Sequence, residues 1–343
     1  MDGQRFYLGT YTELGGKGIG GGRIDPVTGR PEIESWTETV AQPSWLAGRG
    51  DLLYTVGELT PDGLVHALRI QDDATPELLN SRPTGAKPAH LAVHPSGRFL
   101  FTAMYDAGTI ATHPIEDDGS LAPASDVRRH SQPGRPAHAH QVVFDPSGQF
   151  ILAVDLGVDA VVVYQLDAEQ GRLSESSRLD LAAGSGPRHL VFHPGGNQVY
   201  LANELDSTVT VCDWASGELS RPRACPALLE PFGDPVNGPI NYPGEILISA
   251  DGFFVYLTNR GSNTISVFAV EDGGSSLRLL ATPSCDGDWP RHLAVDHTGQ
   301  WLYVANERSG ELVWFPIDRE TGLPGPRAGR LAVAGVAQLY LVP

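Results

Sequence analysis

The chain has 343 residues, and its 41 acidic against 24 basic side chains leave a formal net charge of −17. This negative excess argues against nucleic acid and anionic membrane surfaces as partners. Hydrophobic residues make up 41% of the chain, and 40 Gly with 27 Pro predict many tight turns, which argues against an all-helical or a disordered protein.

Neither a membrane span nor a cofactor is expected. No window approaches 18 consecutive apolar residues, and the opening residues MDGQRFY lack the basic and apolar segments of a secretory signal. The three cysteines, Cys212, Cys225 and Cys285, contain no C-x-x-C pair and are too few for a disulfide framework. We therefore expect reduced thiols, a cytoplasmic location and no cofactor.

In chain order, the first predicted element is a strand at residues 6–11 (FYLGTY), and after it one pattern recurs. The pattern is a short apolar run, a turn that carries glycine and a second apolar run. The copies lie at residues 43–55, 88–101, 139–153, 187–200, 243–257 and 290–303. Their turn glycines, which are 47–56 residues apart, are Gly50, Gly97, Gly148, Gly196, Gly252 and Gly299.

Each copy is followed by a further short β-branched strand, such as residues 208–211 (TVTV) in one unit or 264–268 (TISVF) in the next, and then by a turn into an outer strand. No helical period lies between them. Units of about 40 to 50 residues with four strands each are typical of a β-propeller. Seven units of about 49 residues would account for all 343 residues.

The two ends of the chain predict how the ring closes. Residues 6–11 match the second strand of a unit, and residues 334–343 match a first strand with nothing after it. The C-terminal strand is therefore expected to pair into the N-terminal blade, which protects the sheet edge. The prediction is an all-β fold, a single seven-bladed β-propeller domain of four-stranded blades over residues 1–343. Six or eight blades would leave one terminal strand unpaired.

Alignment of the units places two sets of residues at one end of the propeller. Because neighbouring strands are antiparallel, the start of each first strand and the end of each second strand lie together, near the central axis. The residues that start the first strands are Ala89, His140, Arg188, Gly244 and Arg291. The residues at the ends of the second strands are Tyr11, Glu58, Tyr105, Asp155, Glu204, Arg260 and Glu307.

The differences between blades at these positions indicate a ligand site. Four of the residues come from three successive blades and differ in chemistry, namely His140, Arg188, Glu204 and Arg260. A structural alternative holds for any single residue, since the pairs 203–204 and 259–260 could instead bond neighbouring blades together. His138 and His140 are the nearest approach to a metal pair, but no carboxylate or Cys completes a ligand set, so no metal site is predicted.

At these positions the sequence resembles the seven-bladed propeller lactonases. The family includes the bacterial propeller-type 6-phosphogluconolactonase and the fungal 3-carboxy-cis,cis-muconate lactonizing enzyme. The motifs that carry the resemblance are LGTYT (8–12), DPVTG (25–29), HAH (138–140), GPRH (186–189), NEL (203–205), EI (245–246) and NRG (259–261). They span essentially the whole chain, and the Pro- and Gly-rich stretch 226–243 departs from the family.

The resemblance implies a catalytic set of one His, two Arg and one Glu, which here are His140, Arg188, Arg260 and Glu204. Further residues beside this set are expected to contact the substrate. They are His138, Arg291, Glu307, Glu245, Asn203 and Asn259.

The leading hypothesis is hydrolysis of a sugar lactone, similar to 6-phosphogluconolactone, with a small anionic lactone as the partner. Attack on a lactone carbonyl needs an activated water and a stabilised oxyanion. Either Glu204 or His140 could remove the water proton. Arg188 and Arg260 are fixed cations that can hold a phosphate, a carboxylate or the oxyanion.

Two alternatives use the same fold. A muconate-type lactonizing enzyme would have His140 shuttle a proton at the carbon beside a carboxylate. A non-catalytic propeller would present an exposed apolar patch to a protein partner, and its channel mouth would have no specific role. The oligomeric state is not predicted.

Overall fold

The computed structural model describes residues 3–233 and 240–343, which form seven antiparallel sheets of four strands each. The first strand of each sheet lies at the centre, where it contacts the first strands of both neighbouring sheets around a closed ring. This arrangement is a seven-bladed β-propeller, and the predicted fold class is confirmed. In the described part of the chain no helix is long and apolar enough to cross a membrane.

The central first strands are β4 (Leu46–Arg49), β8 (Pro88–Val93), β12 (Ala139–Phe144), β16 (Pro187–Phe192), β20 (Tyr242–Ile248), β24 (Pro290–Val295) and β28 (Val336–Leu341). The second strands are β1 (Gln4–Thr10), β5 (Leu52–Gly57), β9 (Phe99–Met104), β13 (Phe150–Asp155), β17 (Gln198–Asn203), β21 (Phe254–Arg260) and β25 (Trp301–Asn306).

The third strands are β2 (Ile19–Ile24), β6 (Leu64–Ile70), β10 (Thr109–Pro114), β14 (Ala160–Asp167), β18 (Thr208–Ala215), β22 (Thr264–Glu271) and β26 (Glu311–Pro316). The outer strands are β3 (Pro31–Thr37), β7 (Pro76–Pro83), β11 (Asp126–Arg129), β15 (Arg172–Asp180), β19 (Glu218–Pro226), β23 (Ser276–Ala281) and β27 (Gly329–Ala332). Two short 3₁₀ turns lie at Thr12–Leu14 and Asp272–Gly274.

The ring closes as predicted, because the last strand of the chain joins the sheet that the first strand begins. Blade 1 has the order β28-β1-β2-β3, and blades 2 to 7 follow in sequence from β4 to β27. Tyr7 pairs with Tyr340 and Leu8 with Leu339 in this closing ladder. Both ends of the chain are therefore held within one sheet.

Apolar side chains pack between blades rather than in one central core. Seven clusters of buried residues lie one at each junction between neighbouring blades. At five junctions a buried tyrosine of the second strand also donates its hydroxyl to a carbonyl in a turn of the next blade. These tyrosines are Tyr7, Tyr54, Tyr200, Tyr256 and Tyr303. Burial of the alternating apolar face of each strand thus stabilises the ring.

The turn glycines set the frame of each blade. All six adopt left-handed backbone, with φ between 60° at Gly50 and 80° at Gly252. Residues with a Cβ rarely adopt this conformation, so glycine is the residue expected there. The longer spacing between Gly196 and Gly252 includes the stretch 226–243, of which residues 234–239 lie outside the described part.

Candidate active site

A β-bulge at the start of the first strands turns three polar side chains toward the central axis. His140 lies between the paired residues Ala139 and Gln141, and it has no partner in the ladder of its own blade. Arg188 and Arg291 occupy the same position in blades 5 and 7. A bulge adds a residue on one strand and re-aims its side chain. The repeated sequence pattern therefore produces an inward-facing position in several blades.

The residues that follow the second strands meet these bulge residues at one mouth of the channel. Glu204 Oε2 lies 2.6 Å from Arg260 Nη2 and 3.2 Å from Arg188 Nε. Arg260 also donates to the carbonyls of Tyr242 and Pro243, at 3.1 and 3.0 Å. Burial raises the pKa of Glu204, but the two arginines outweigh it and leave the pKa below its usual value. Glu204 is therefore an anion with little tendency to accept a proton.

Arg188 is the mouth guanidinium with spare hydrogen-bond donors. The residue is 2% exposed, and its Nε and Nη1 have no acceptor among the described residues. Its contact with Glu204 is close but poorly aligned for a hydrogen bond. Burial, together with repulsion from Arg260 and Arg291, lowers its pKa to about 9. A buried cation with unused donors is suited to bind an anion or a developing oxyanion.

Arg291 has its own set of partners on the opposite side of the mouth. Its guanidinium lies 3.8 Å from Glu58, 3.5 Å from Glu307, and 5.1 Å from the centre of the Tyr11 ring. The hydroxyls of Tyr11 and Ser44 donate to Glu58 at 2.7 and 2.5 Å. These carboxylates raise the pKa of Arg291 against the effect of burial. The positive charge of Arg291 is thus balanced by carboxylates of the propeller.

The two predicted histidines have different surroundings. His138 lies at the rim, where its ring stacks on Tyr105 at 4.4 Å and its Nδ1 is 3.0 Å from the Tyr105 carbonyl. His140 lies deeper, and its Nδ1 is 3.2 Å from Nε2 of His189. Burial, followed by the positive charge of Arg188, holds the pKa of His140 well below its usual value. His140 is therefore a neutral imidazole under the mouth.

One position further along the first strands, a second ring of side chains forms the floor of the site. Trp45 lies at the centre of three imidazoles, with ring centres 4.2 Å from His90, 5.3 Å from His189 and 5.4 Å from His292. Glu245 joins this layer and lies 3.0 Å from His189 Nδ1. These three histidines were not among the predicted site residues, although His189 and His292 recur as P-R-H-L and His90 as P-A-H-L.

Several predicted substrate contacts lie elsewhere than expected. Asn203 and Asn259 are buried, and their amides donate to Thr210 and Ser266 of the same blade, so they join strands within a blade and do not bond neighbouring blades together as the structural alternative proposed. Glu245 lies in the floor rather than at the mouth. The placement of these residues at the substrate is thus not supported by the geometry.

The placement of Asp155 at the mouth is wrong. Asp155 is the seventh residue after its turn glycine and aligns with Asn203, so Leu156 takes the position equivalent to Glu204. Its buried carboxylate accepts hydrogen bonds from His130 at 2.7 Å and from the backbone of His138 at 2.8 Å.

Beside the mouth, over blades 5 to 7, lies a cavity of about 610 Å³ that the sequence did not predict. Glu204 reaches one wall, and Trp289 and Arg308 form another. The Arg308 guanidinium lies 3.4 Å from the centre of the Trp289 ring. Trp289 adopts φ 65°, which is unusual for a bulky residue and is often found at functional sites. An exposed cation over an aromatic wall thus adjoins the arginine cluster.

The buried histidines predict that the protein loses stability in mild acid. Burial lowers the pKa of His90, His140 and His189 well below 6.5 and that of His292 to about 4. Their contribution is complete above about pH 6.5 and is lost as the pH falls, because only the unfolded chain takes up the protons. Each group contributes up to about 1.4 kcal/mol per pH unit, while the raised pKa of Glu245 opposes the trend.

The melting temperature is therefore expected to fall steadily between pH 6.5 and pH 5, at constant ionic strength. His90→Gln should reduce the slope, since it removes one of these groups. A melting temperature that does not change over this range would contradict the prediction.

The fold and the mouth together define a class of protein. The family model described as "Lactonase, 7-bladed beta-propeller" matches residues 5–338, and the chain belongs to this family. Several relatives share nearly its full length. A protein of Bacillus subtilis (strain 168) named 6-phosphogluconolactonase is 32% identical over 329 residues, which is 92% of this chain and 92% of the relative.

Two further relatives are similar over almost the whole chain. A Formosa agariphila protein named 6-phosphogluconolactonase is 28% identical and covers 98% of both chains. The structure of the Pseudomonas aeruginosa periplasmic gluconolactonase, PpgL, superposes with a TM-score of 0.90 at 30% identity and covers 99% of both chains.

Proposed function

We propose that the protein hydrolyses a sugar lactone of the 6-phosphogluconolactone type to the open acid. The observation that carries this proposal is the pair of unused Arg188 donors beside the neutral imidazole of His140, next to Glu204, which lines the cavity beside the mouth. Family membership and the names of the relatives support it. The same names give no support to a lactonizing reaction, and the polar mouth is unlike that of a non-catalytic propeller.

The residues of the mouth can supply each part of the hydrolysis. His140 accepts a proton from a water molecule whose oxygen attacks the lactone carbonyl carbon. Arg188 donates to the oxyanion as the carbonyl bond opens. When the bond between this carbon and the ring oxygen breaks, His140 returns the proton to the departing oxygen. Glu204 holds Arg188 and Arg260 in place.

We assign the substrate's anionic group to the cavity beside Trp289. Arg188 is assigned to the oxyanion, and the other two cations of the mouth have partners, since Arg260 is bonded to Glu204 and Arg291 lies between two glutamates. Arg308 makes no ion pair with any described residue and lines the cavity that Glu204 also reaches. The Trp289 ring offers an apolar face for the sugar. The chain as a whole carries −17, so local cations have to provide the attraction for an anion.

A panel of lactones tests the function and the position of the anion. With spontaneous hydrolysis subtracted, kcat/KM is expected to be highest for 6-phosphogluconolactone, lower for glucono-δ-lactone and negligible for a carboxymuconolactone. Arg308→Gln should raise KM for the phosphorylated lactone about 3- to 5-fold, the size of an exposed ion pair, and leave the plain lactone within twofold.

Arg319→Gln is the matched control, because Arg319 is an exposed arginine of the same blade at the opposite end of the propeller. An equal effect of both substitutions would remove Arg308 from the site. Absence of lactone turnover, or uptake of solvent deuterium at a carbon of the product, would overturn hydrolysis.

We also propose that residues 1–343 form one domain and that the protein works in the cytoplasm. Packing of each blade against two neighbours supports a single unit. The thiols of Cys212, Cys225 and Cys285 are unpaired, and burial raises the pKa of each, which fits a reducing compartment. Cell fractionation tests the location.

A further inference from the structure

A continuous line of buried polar side chains runs from the floor of the site to His140. Glu245 Oε2 lies 3.0 Å from Nδ1 of His189, and Nε2 of His189 lies 3.2 Å from Nδ1 of His140. The three residues come from blades 6, 5 and 4, and they are 7%, 0% and 6% exposed. Solvent therefore does not compete for these hydrogen bonds.

The carboxylate sets the direction of the whole line. An ionised carboxylate only accepts hydrogen bonds, so Nδ1 of His189 must carry a proton. The other nitrogen of neutral His189 is then an acceptor, and Nδ1 of His140 must donate to it. Nε2 of His140 is left with its lone pair free. This atom has no hydrogen-bond partner among the described residues, and it is not enclosed, so solvent or substrate can reach it.

We propose that Glu245 and His189 are positioning residues that fix His140 in its Nδ1–H tautomer and present Nε2 as the general base. The inference rests on the proposed lactone hydrolysis and deepens it, because the sequence left the choice between His140 and Glu204 open. The positive charge that forms on His140 is stabilised through His189 by the carboxylate, as in other carboxylate–histidine pairs. Glu204 has no such role, since both of its neighbours are cations.

The surroundings of Glu245 fix its position and influence its pKa. Its backbone N–H donates to the Thr258 hydroxyl at 2.8 Å, and His292 Nε2 lies 3.8 Å from its carboxylate. Burial raises its pKa, while His292, Arg188 and Arg291 act against burial. A proton on Glu245 would reverse the line and place a hydrogen on Nε2 of His140. The base would then be blocked in acid.

The tautomer of His140 can be read directly in the wild-type protein. With ¹⁵N-labelled histidine and His140→Gln to assign the signal, Nδ1 of His140 is expected to be protonated and Nε2 unprotonated at neutral pH. The opposite tautomer would overturn the proposal. This measurement uses no substrate, so it tests the line of hydrogen bonds even if lactone hydrolysis fails.

Kinetics provide the second test. Glu245→Gln keeps the shape of the side chain but removes the charge, and we expect kcat to fall about 100-fold with KM within twofold. The acid limb of the kcat/KM profile should also move, because Glu245 can no longer take up a proton. His66→Gln is the control: His66 is equally buried, but it lies in the third strand of blade 2, where its Nδ1 contacts the Ser81 hydroxyl, and no hydrogen bond joins it to His140.

His66→Gln is expected to keep kcat within twofold. Equal losses of kcat in the two variants, or an unchanged pH profile in Glu245→Gln, would reduce Glu245 to a structural residue and overturn the proposal. If the wild type itself hydrolyses no lactone, the proposed function fails. The tautomer measurement still shows whether Glu245 and His189 fix the tautomer of His140.

Discussion

Replacement of Arg188 with methionine is expected to lower kcat/KM for the lactone by about 10²- to 10³-fold, the effect of losing one oxyanion donor. The melting temperature should stay the same or rise. Arg188 is a buried cation with two donors unsatisfied and with two other arginines nearby, so it is costly to the folded state. Methionine fills a similar volume without that cost, and Glu204 keeps Arg260 as its partner.

Arg291→Met provides the matched comparison, because Arg291 starts the first strand of blade 7 at the same bulge position. Its removal leaves Glu58 and Glu307 without their cation, which should cost about 3 kcal/mol and lower the melting temperature. Activity in folded Arg291→Met should fall much less than in Arg188→Met. If Arg188→Met instead unfolds early and the folded fraction keeps its turnover, Arg188 is a structural residue.

Replacement of His140 with alanine is expected to lower kcat/KM by about 10²- to 10⁴-fold, as removal of a general base does. KM should change little, because the substrate is held by the arginines. Added imidazole should restore part of the activity, since the substitution leaves a space of the size of an imidazole ring at the mouth. The measurement is turnover of the lactone with and without imidazole, corrected for the spontaneous reaction.

Glu204→Gln separates the two candidate bases. It removes the anion between Arg188 and Arg260, so it should lower the melting temperature as well as the activity. Imidazole should not restore the activity of Glu204→Gln. The acid limb of its kcat/KM profile against pH should stay as in the wild type, because the residues Glu245, His189 and His140 are unchanged. Full turnover in His140→Ala would remove His140 from the mechanism and leave Glu204 as the base.

The fold could be predicted because its determinants are local and repeated. Each blade carries its own apolar runs, and its turn glycine occupies a left-handed conformation that the sequence marks directly. The same register predicts that Arg188, Glu204 and Arg260 lie at one end of the propeller. An antiparallel pair places the start of one strand beside the end of the next.

The partners inside the site could not be predicted in this way. The line from Glu245 to His140 joins three blades through bulges, and a bulge changes which side chain faces the axis without leaving a mark in the apolar pattern. His90, His189 and His292 occupy one shared strand position, and nothing in the apolar pattern distinguishes a shared polar position at the site from one that only holds the blades. The strand register also does not predict side-chain distances, and these distances decide which arginines have a carboxylate partner.

The layer of Trp45 and its three imidazoles has a consequence for how a substrate enters. These rings pack against one another at 4.2 to 5.5 Å across the axis, directly below His140. These rings narrow the central channel on the side of His140 that faces away from the mouth. A lactone is therefore expected to reach His140 from the mouth, with its charged end at the rim beside Arg308.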